Sequence, residues 1–70
     1  MIEVKRKNGS WSVYRDGQQI GYVDRIQRHG LKWQIRIDGV TGAEYHRIAD
    51  LRFECRWEAE KFICKYHEEN

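Results

Sequence analysis

The side chains here that bind soft metals or attack carbon centres are two cysteines, Cys55 and Cys64, and three histidines, His29, His46 and His67. Cys64 and His67 would share one face of a helix, but structural zinc needs a second closely spaced pair, and the sequence contains none. In a helical segment the two cysteines stand about 13.5 Å apart at 1.5 Å per residue. A disulfide needs Cα atoms within about 7 Å, so reduced thiols and a cytoplasmic setting are expected. Catalysis through a thiol or hydroxyl would need a histidine ordered beside it in a cleft, and 70 residues hardly wall a cleft. The carboxylates of Glu58-Ala59-Glu60-Lys61 read as a solvated helix face, and no glycine loop for a phosphate is present. The expectation is no catalytic residue, metal, cofactor or small-molecule substrate.

The polar side chains of the stretch LKWQIRID are better material. Leu31, Trp33, Ile35 and Ile37 alternate with Lys32, Gln34, Arg36 and Asp38, the period of a strand with one buried and one wet face. Lys32, Gln34 and Arg36 therefore project together from the wet face. Arginine and glutamine can pair bidentately with guanine and adenine edges, and a small sheet can enter a major groove. With Tyr14 and Arg25 from the preceding hairpin and Arg28 from the connecting loop, these residues form a candidate surface for duplex DNA. The competing reading of the same residues is an ordinary solvent-facing sheet.

Three further segments must position that strand. Trp11 to Ile26 reads as a hairpin about Asp16-Gly17, the usual chemistry of a two-residue turn with positive φ. That turn sets Val13 opposite Ile20 and Trp11 opposite Tyr22 on the apolar face. Ser12, Tyr14, Gln19, Gly21, Val23 and Arg25 then fall on the other face. Residues 1–10 read as a flexible basic arm around Lys5-Arg6-Lys7 or as a short edge strand; Glu44 to Ile48 reads as a fourth strand or an extended segment. From Cys55 to His67 the period changes: Cys55, Ala59, Phe62, Ile63 and Tyr66 make one helical stripe. An earlier start capped by Asp50 is the alternative. The acids Glu68 and Glu69 oppose the helix dipole, so fraying is expected there.

The predicted fold is α+β: a three-stranded antiparallel sheet, or a four-stranded one, packed against one carboxyl-terminal helix in a single small domain of residues 1–70. Hydrophobic residues at 40% and aromatics at 13% exceed what a disordered chain carries. A net charge of +2 suits an anionic partner and argues against an acidic mimic of nucleic acid. No apolar run reaches the length of a membrane span, so no membrane partner is expected.

The segments WSVYRDGQQIG, KWQIRIDG and RFECRWEAEKFI resemble the sheet-plus-helix DNA-binding domains at the amino termini of phage and transposon tyrosine recombinases, and the plant AP2 group. Small phage and prophage accessory proteins share the layout. The resemblance covers about Trp11 to Tyr66 and implies that the exposed sheet face meets DNA, with Arg25, Lys32, Gln34 and Arg36 as base and phosphate contacts and Tyr14 beside them. It also implies that the helix, opening with the pair Glu58-Ala59, packs behind. A reading of another class rests on the helix: Phe53, Trp57, Lys61 and Cys64 fall away from the sheet-facing stripe. They would be covered by the 38–49 loop, by a homodimer, or by a host or partner protein, as in a small inhibitor.

Overall fold

The computed structural model describes residues 1–26 and 32–69. Four strands, β1 (Ile2–Lys7), β2 (Ser10–Arg15), β3 (Gln18–Ile26) and β4 (Lys32–Ile37), form one antiparallel sheet in the order β1-β2-β3-β4, followed by helices α1 (Gly42–Ala49) and α2 (Arg56–Glu69). The expected α+β class with a four-stranded sheet is what the chain adopts. The fourth strand is the amino-terminal segment. Asn8 at φ 51° and Gly9 at φ 84° turn it onto β2, and the positive φ at both positions suits the right-handed twist of the strands. The Met1 carbonyl accepts from the Asp16 amide, and the Met1 ammonium lies 2.6 Å from Asp16 Oδ1, tying the start of the chain to the β2–β3 turn.

The Asp16-Gly17 turn forms as its residues require, with φ of 51° and 85°. It sets Arg15 opposite Gln18 and Tyr14 opposite Gln19, as expected. The register then shifts: Val13 pairs with Gly21, Ser12 with Tyr22 and Trp11 with Val23, in place of the expected pairs Val13–Ile20 and Trp11–Tyr22. Ile20 is the extra residue of a bulge. Its cause lies in the core, because Ile20 and Val23 are both buried and stand at odd spacing, so one strand can bury both only by an inserted residue. The rest of β3 is inverted relative to simple alternation. Val23 faces the core with no exposed surface, Arg25 goes to the same side, and Tyr22 moves to the opposite face.

Helix α2 lies across the inner face, placing Ala59 and Ile63 against Val13, Val23, Ile35 and Ile37. Gly21 makes the close approach possible, because a Cβ there would sit 3.1 Å from Ile63 Cγ2. The 44–48 segment is helical, neither strand nor extended chain: α1 carries Glu44 in its first turn and His46 and Arg47 in its last, as the dipole favours, and buries Ile48. Asp50 closes α1 and does not open α2. Between the helices, Phe53 exchanges backbone hydrogen bonds of 2.9 Å in both directions with Trp33, covering the outer edge of β4.

The far end of α2 is held: Arg15 donates to Glu68 Oε1 at 3.1 Å and lies 3.2 Å from His67 Nδ1. A cation from the sheet thus offsets the acids that the dipole disfavours, and the helix continues to Glu69. Cys64 is a free thiol and Cys55, also free, immediately precedes α2. Among the described residues no helix is long and apolar enough to cross a membrane, and no group of three or more His, Cys, Asp or Glu gathers as a metal site.

Candidate nucleic-acid interface

Both helices supply their buried side chains to one side of the sheet, which leaves the opposite face open. Its composition follows from the register. One rung runs through all four strands as Lys5, Ser12, Tyr22 and Arg36; beside it Glu3, Tyr14 and Gln19 form a second, and Asp24 pairs with Gln34 and Ile26 with Lys32 in the others. Lys7, opposite Ser10, completes the β1 side. Neighbouring strands lie about 4.8 Å apart, so the cations of β1 and those of β4 stand about 14 Å from each other across a strip of tyrosine and serine.

Of the expected contacts, Tyr14, Lys32, Gln34 and Arg36 are on this face. Arg25 is not. The bulge turns it to the helix side, where its guanidinium stands 5.6 Å from the Trp33 ring centroid. Arg28, together with Leu31, lies outside the described residues. Tyr22, read from the sequence as a core residue, is on the open face, as are Lys5 and Lys7, which join it because β1 is a full strand.

The cations of β4 lean toward the sheet's outer edge. Lys32 forms an ion pair with Glu54, while Arg36 donates to the Ile35 carbonyl at 2.9 Å and stands 5.6 Å from the Tyr45 ring centroid. On the other side Lys5 Nζ sits 5.1 Å from the Tyr14 centroid. Ser12, between the tyrosines, is buried. Two carboxylates interrupt the positive field among the described residues: Glu3 on β1, 4.0 Å from Lys5 Nζ, and Asp24 near the centre. Burial raises the Asp24 carboxyl above its ordinary range and the nearby Arg36 partly opposes the shift. Asp16 and Asp38 stay at the margins: Asp16 is bound to Met1, its carboxyl lowered by that hydrogen bond and charge, and Asp38 accepts from Gln19 at 3.1 Å.

The residues of the helix-centred reading separate into two sets. Trp57 is 61% exposed and Lys61 is exposed. Phe53 and Cys64 instead pack against the core, Phe53 with its ring 5.5 Å from that of Phe62. Burial pushes the Cys64 thiol up. The 38–49 segment covers β4 and not Trp57, which leaves a shallow apolar groove bounded by Phe53, Trp57 and Phe62. Clefts of small-molecule dimensions adjoin Glu44 and Tyr66 beside α1, the second of them also lined by Asp38, Thr41 and His67.

A third constellation is structural. Arg56, the first residue of α2, stacks 3.7 Å from the Trp11 centroid, with Arg6 at 5.7 Å, which anchors the helix start to β2. Arg56 Nε also lies 3.0 Å from Glu60 Oε2 without hydrogen-bond alignment, and that buried oxygen has no hydrogen-bond partner. Burial accordingly raises the Glu60 carboxyl, against the pull of Arg56.

Comparison with family models, curated proteins and solved structures finds no match to this chain.

Proposed function

We propose that the protein is a small non-enzymatic DNA-binding domain, working in the cytoplasm of a cell that carries a phage or other mobile element, and that its contact surface is the open face of the sheet. The observation that carries this reading is that face itself: one side of a four-stranded sheet without helical cover, with Lys5, Lys7, Lys32 and Arg36 on its two outer strands. Cations so arranged attract a polyanion, and each phosphate neutralised adds about 0.9 to the slope of log affinity against log salt on duplex and about 0.7 on single strands. Asp24 works against binding. Its removal is the more discriminating perturbation, since a gain is harder to produce by misfolding than a loss.

The test is fluorescence anisotropy with labelled oligonucleotides, duplex and single-stranded, across a salt series. Lys32→Gln with Arg36→Gln should weaken binding and flatten the slope. Asp24→Asn should tighten it, because the variant loses a central negative charge and frees Arg36 of its counter-charge. Wild-type protein that binds neither form at low salt would refute the proposal.

The exposure of Trp57 favours a second reading, a protein-binding module or inhibitor acting through the outer face of α2, as a homodimer or on a partner protein. Aromatic anchors of this type dominate many interfaces. Lys61 borders the groove, so an acidic partner surface would suit it.

A further inference from the structure

Resting on the DNA-binding reading, we infer that the preferred ligand of the open face is single-stranded nucleic acid, with bases stacked on Tyr14 and Tyr22 and phosphates held by the cations of the outer strands. The bulge at Ile20 is what brings the two rings to one face. Tyr22 pairs with Ser12, and Tyr14 lies two residues beyond Ser12 on β2, so the tyrosines are diagonal cross-strand neighbours with Cα atoms about 7–8 Å apart. Both are half-buried, held by the sheet with part of their surface open. The side chain between them is the small Ser12, which its neighbours bury.

The same face is poorly formed for a duplex. A major groove about 12 Å wide admits a helix or a two-stranded ribbon, whereas this surface is four strands and about 14 Å across before its lysines are added. Direct readout would need bidentate donors at the centre, where the chain instead places two tyrosines and the Asp24 carboxylate. Gln19 is already bonded to Asp38. In a single strand the two tyrosines become useful. Ring faces stack on bases of any sequence, and only unpaired bases expose theirs. The Gln34 amide, beside Asp24, can meet open Watson–Crick edges, while the Asp24 carboxylate still repels the phosphates. Lys5 Nζ lies over the Tyr14 ring, 5.1 Å from its centroid, so a base stacking there displaces the ammonium, which can then reach that nucleotide's phosphate.

The experiment compares one labelled mixed-sequence oligonucleotide, alone and annealed to its complement, by anisotropy at low salt. Tyr14→Leu and Tyr22→Leu keep apolar bulk and remove the ring, and Tyr→Phe variants restore the ring without the hydroxyl. The wild type should bind the single strand more tightly than the duplex. Each Leu variant should lose about 5- to 150-fold, the range of one base–aromatic stack, with an unchanged far-ultraviolet spectrum. Each Phe variant should stay within a few-fold of wild type, which a purely structural role of the hydroxyl would not allow. Equal or tighter binding to duplex overturns this inference and leaves the DNA-binding reading standing. Single-strand binding unaffected by either Leu variant overturns the stacking, and absence of binding to both forms overturns both proposals.

Discussion

Gly21→Ala is the substitution that tests the packing of sheet on helix most directly. A Cβ at this position would lie 2.5 Å from the Arg36 carbonyl oxygen and 3.1 Å from Ile63 Cγ2, with the Ile37 Cα at 3.4 Å, the lower edge of ordinary contact. The nearest obstacle is backbone, so it cannot rotate aside. Relief requires β3 and β4 to shift by close to an ångström beside the bulge, and α2 to lift at Ile63. Overpacking of this kind costs about 1–3 kcal/mol. Opposing it, alanine lowers the entropy of the unfolded chain and returns about 0.4–1 kcal/mol, because the φ of Gly21 is one that alanine can adopt. Since the clash is with main chain, we expect the steric cost to win by about 1–2 kcal/mol. For a domain of this size that lowers Tm by roughly 5–15 °C. Thermal unfolding followed by circular dichroism reads the shift. An unchanged or higher Tm would refute the argument that β3 approaches α2 closely because Gly21 has no side chain. The same variant should weaken nucleic-acid binding, since the displaced peptide carries Arg36.

Ile35→Ala should destabilise more than Trp33→Ala, because Ile35 has no exposed surface while Trp33 is only half-buried beside Arg25 and Phe53; truncations of fully buried aliphatics cost about 2–5 kcal/mol, and the reverse order in a denaturant series would mean that the centre of the core has been misplaced. Trp57→Ala should leave stability within about 0.5 kcal/mol, as for other exposed positions, while abolishing any dimer or captured partner that depends on α2; a large loss of Tm would end the interface reading. Glu60→Gln should raise Tm at neutral pH. The folded-state pKa of Glu60 is raised above its ordinary 4.5, so the ionised form is the one the fold disfavours: the penalty is full above the raised value and vanishes below 4.5. The gain should therefore close as pH falls through that window, and a variant less stable than wild type at neutral pH would show that the attraction of Arg56 outweighs burial.

Local chemistry made much of this protein legible in its sequence. The parity of Trp33, Ile35 and Ile37 against Lys32, Gln34 and Arg36 follows from strict alternation, and the Asp16-Gly17 turn with its first two pairs from the demand for positive φ. The sheet-facing stripe of α2 follows from helical spacing. Asn8-Gly9 carries the same turn signal and marks β1 as a full strand, so the place of Lys5 and Lys7 was also readable there. The Gly42–Ala49 segment was not, because eight residues are too few for the helical and strand periods to separate.

What only the tertiary structure decided is the face of every β3 side chain beyond Ile20. Alternation sends Ile20 and Tyr22 inward together; the folded chain inserts a bulge, buries Val23 against Ile35, turns Arg25 to the helix side and puts Tyr22 beside Tyr14. The choice depends on how closely α2 can approach at Gly21 and on which side chain fills the space beside Ile63. Those are packing terms between residues some 40 positions apart, and a local pattern contains no information about them.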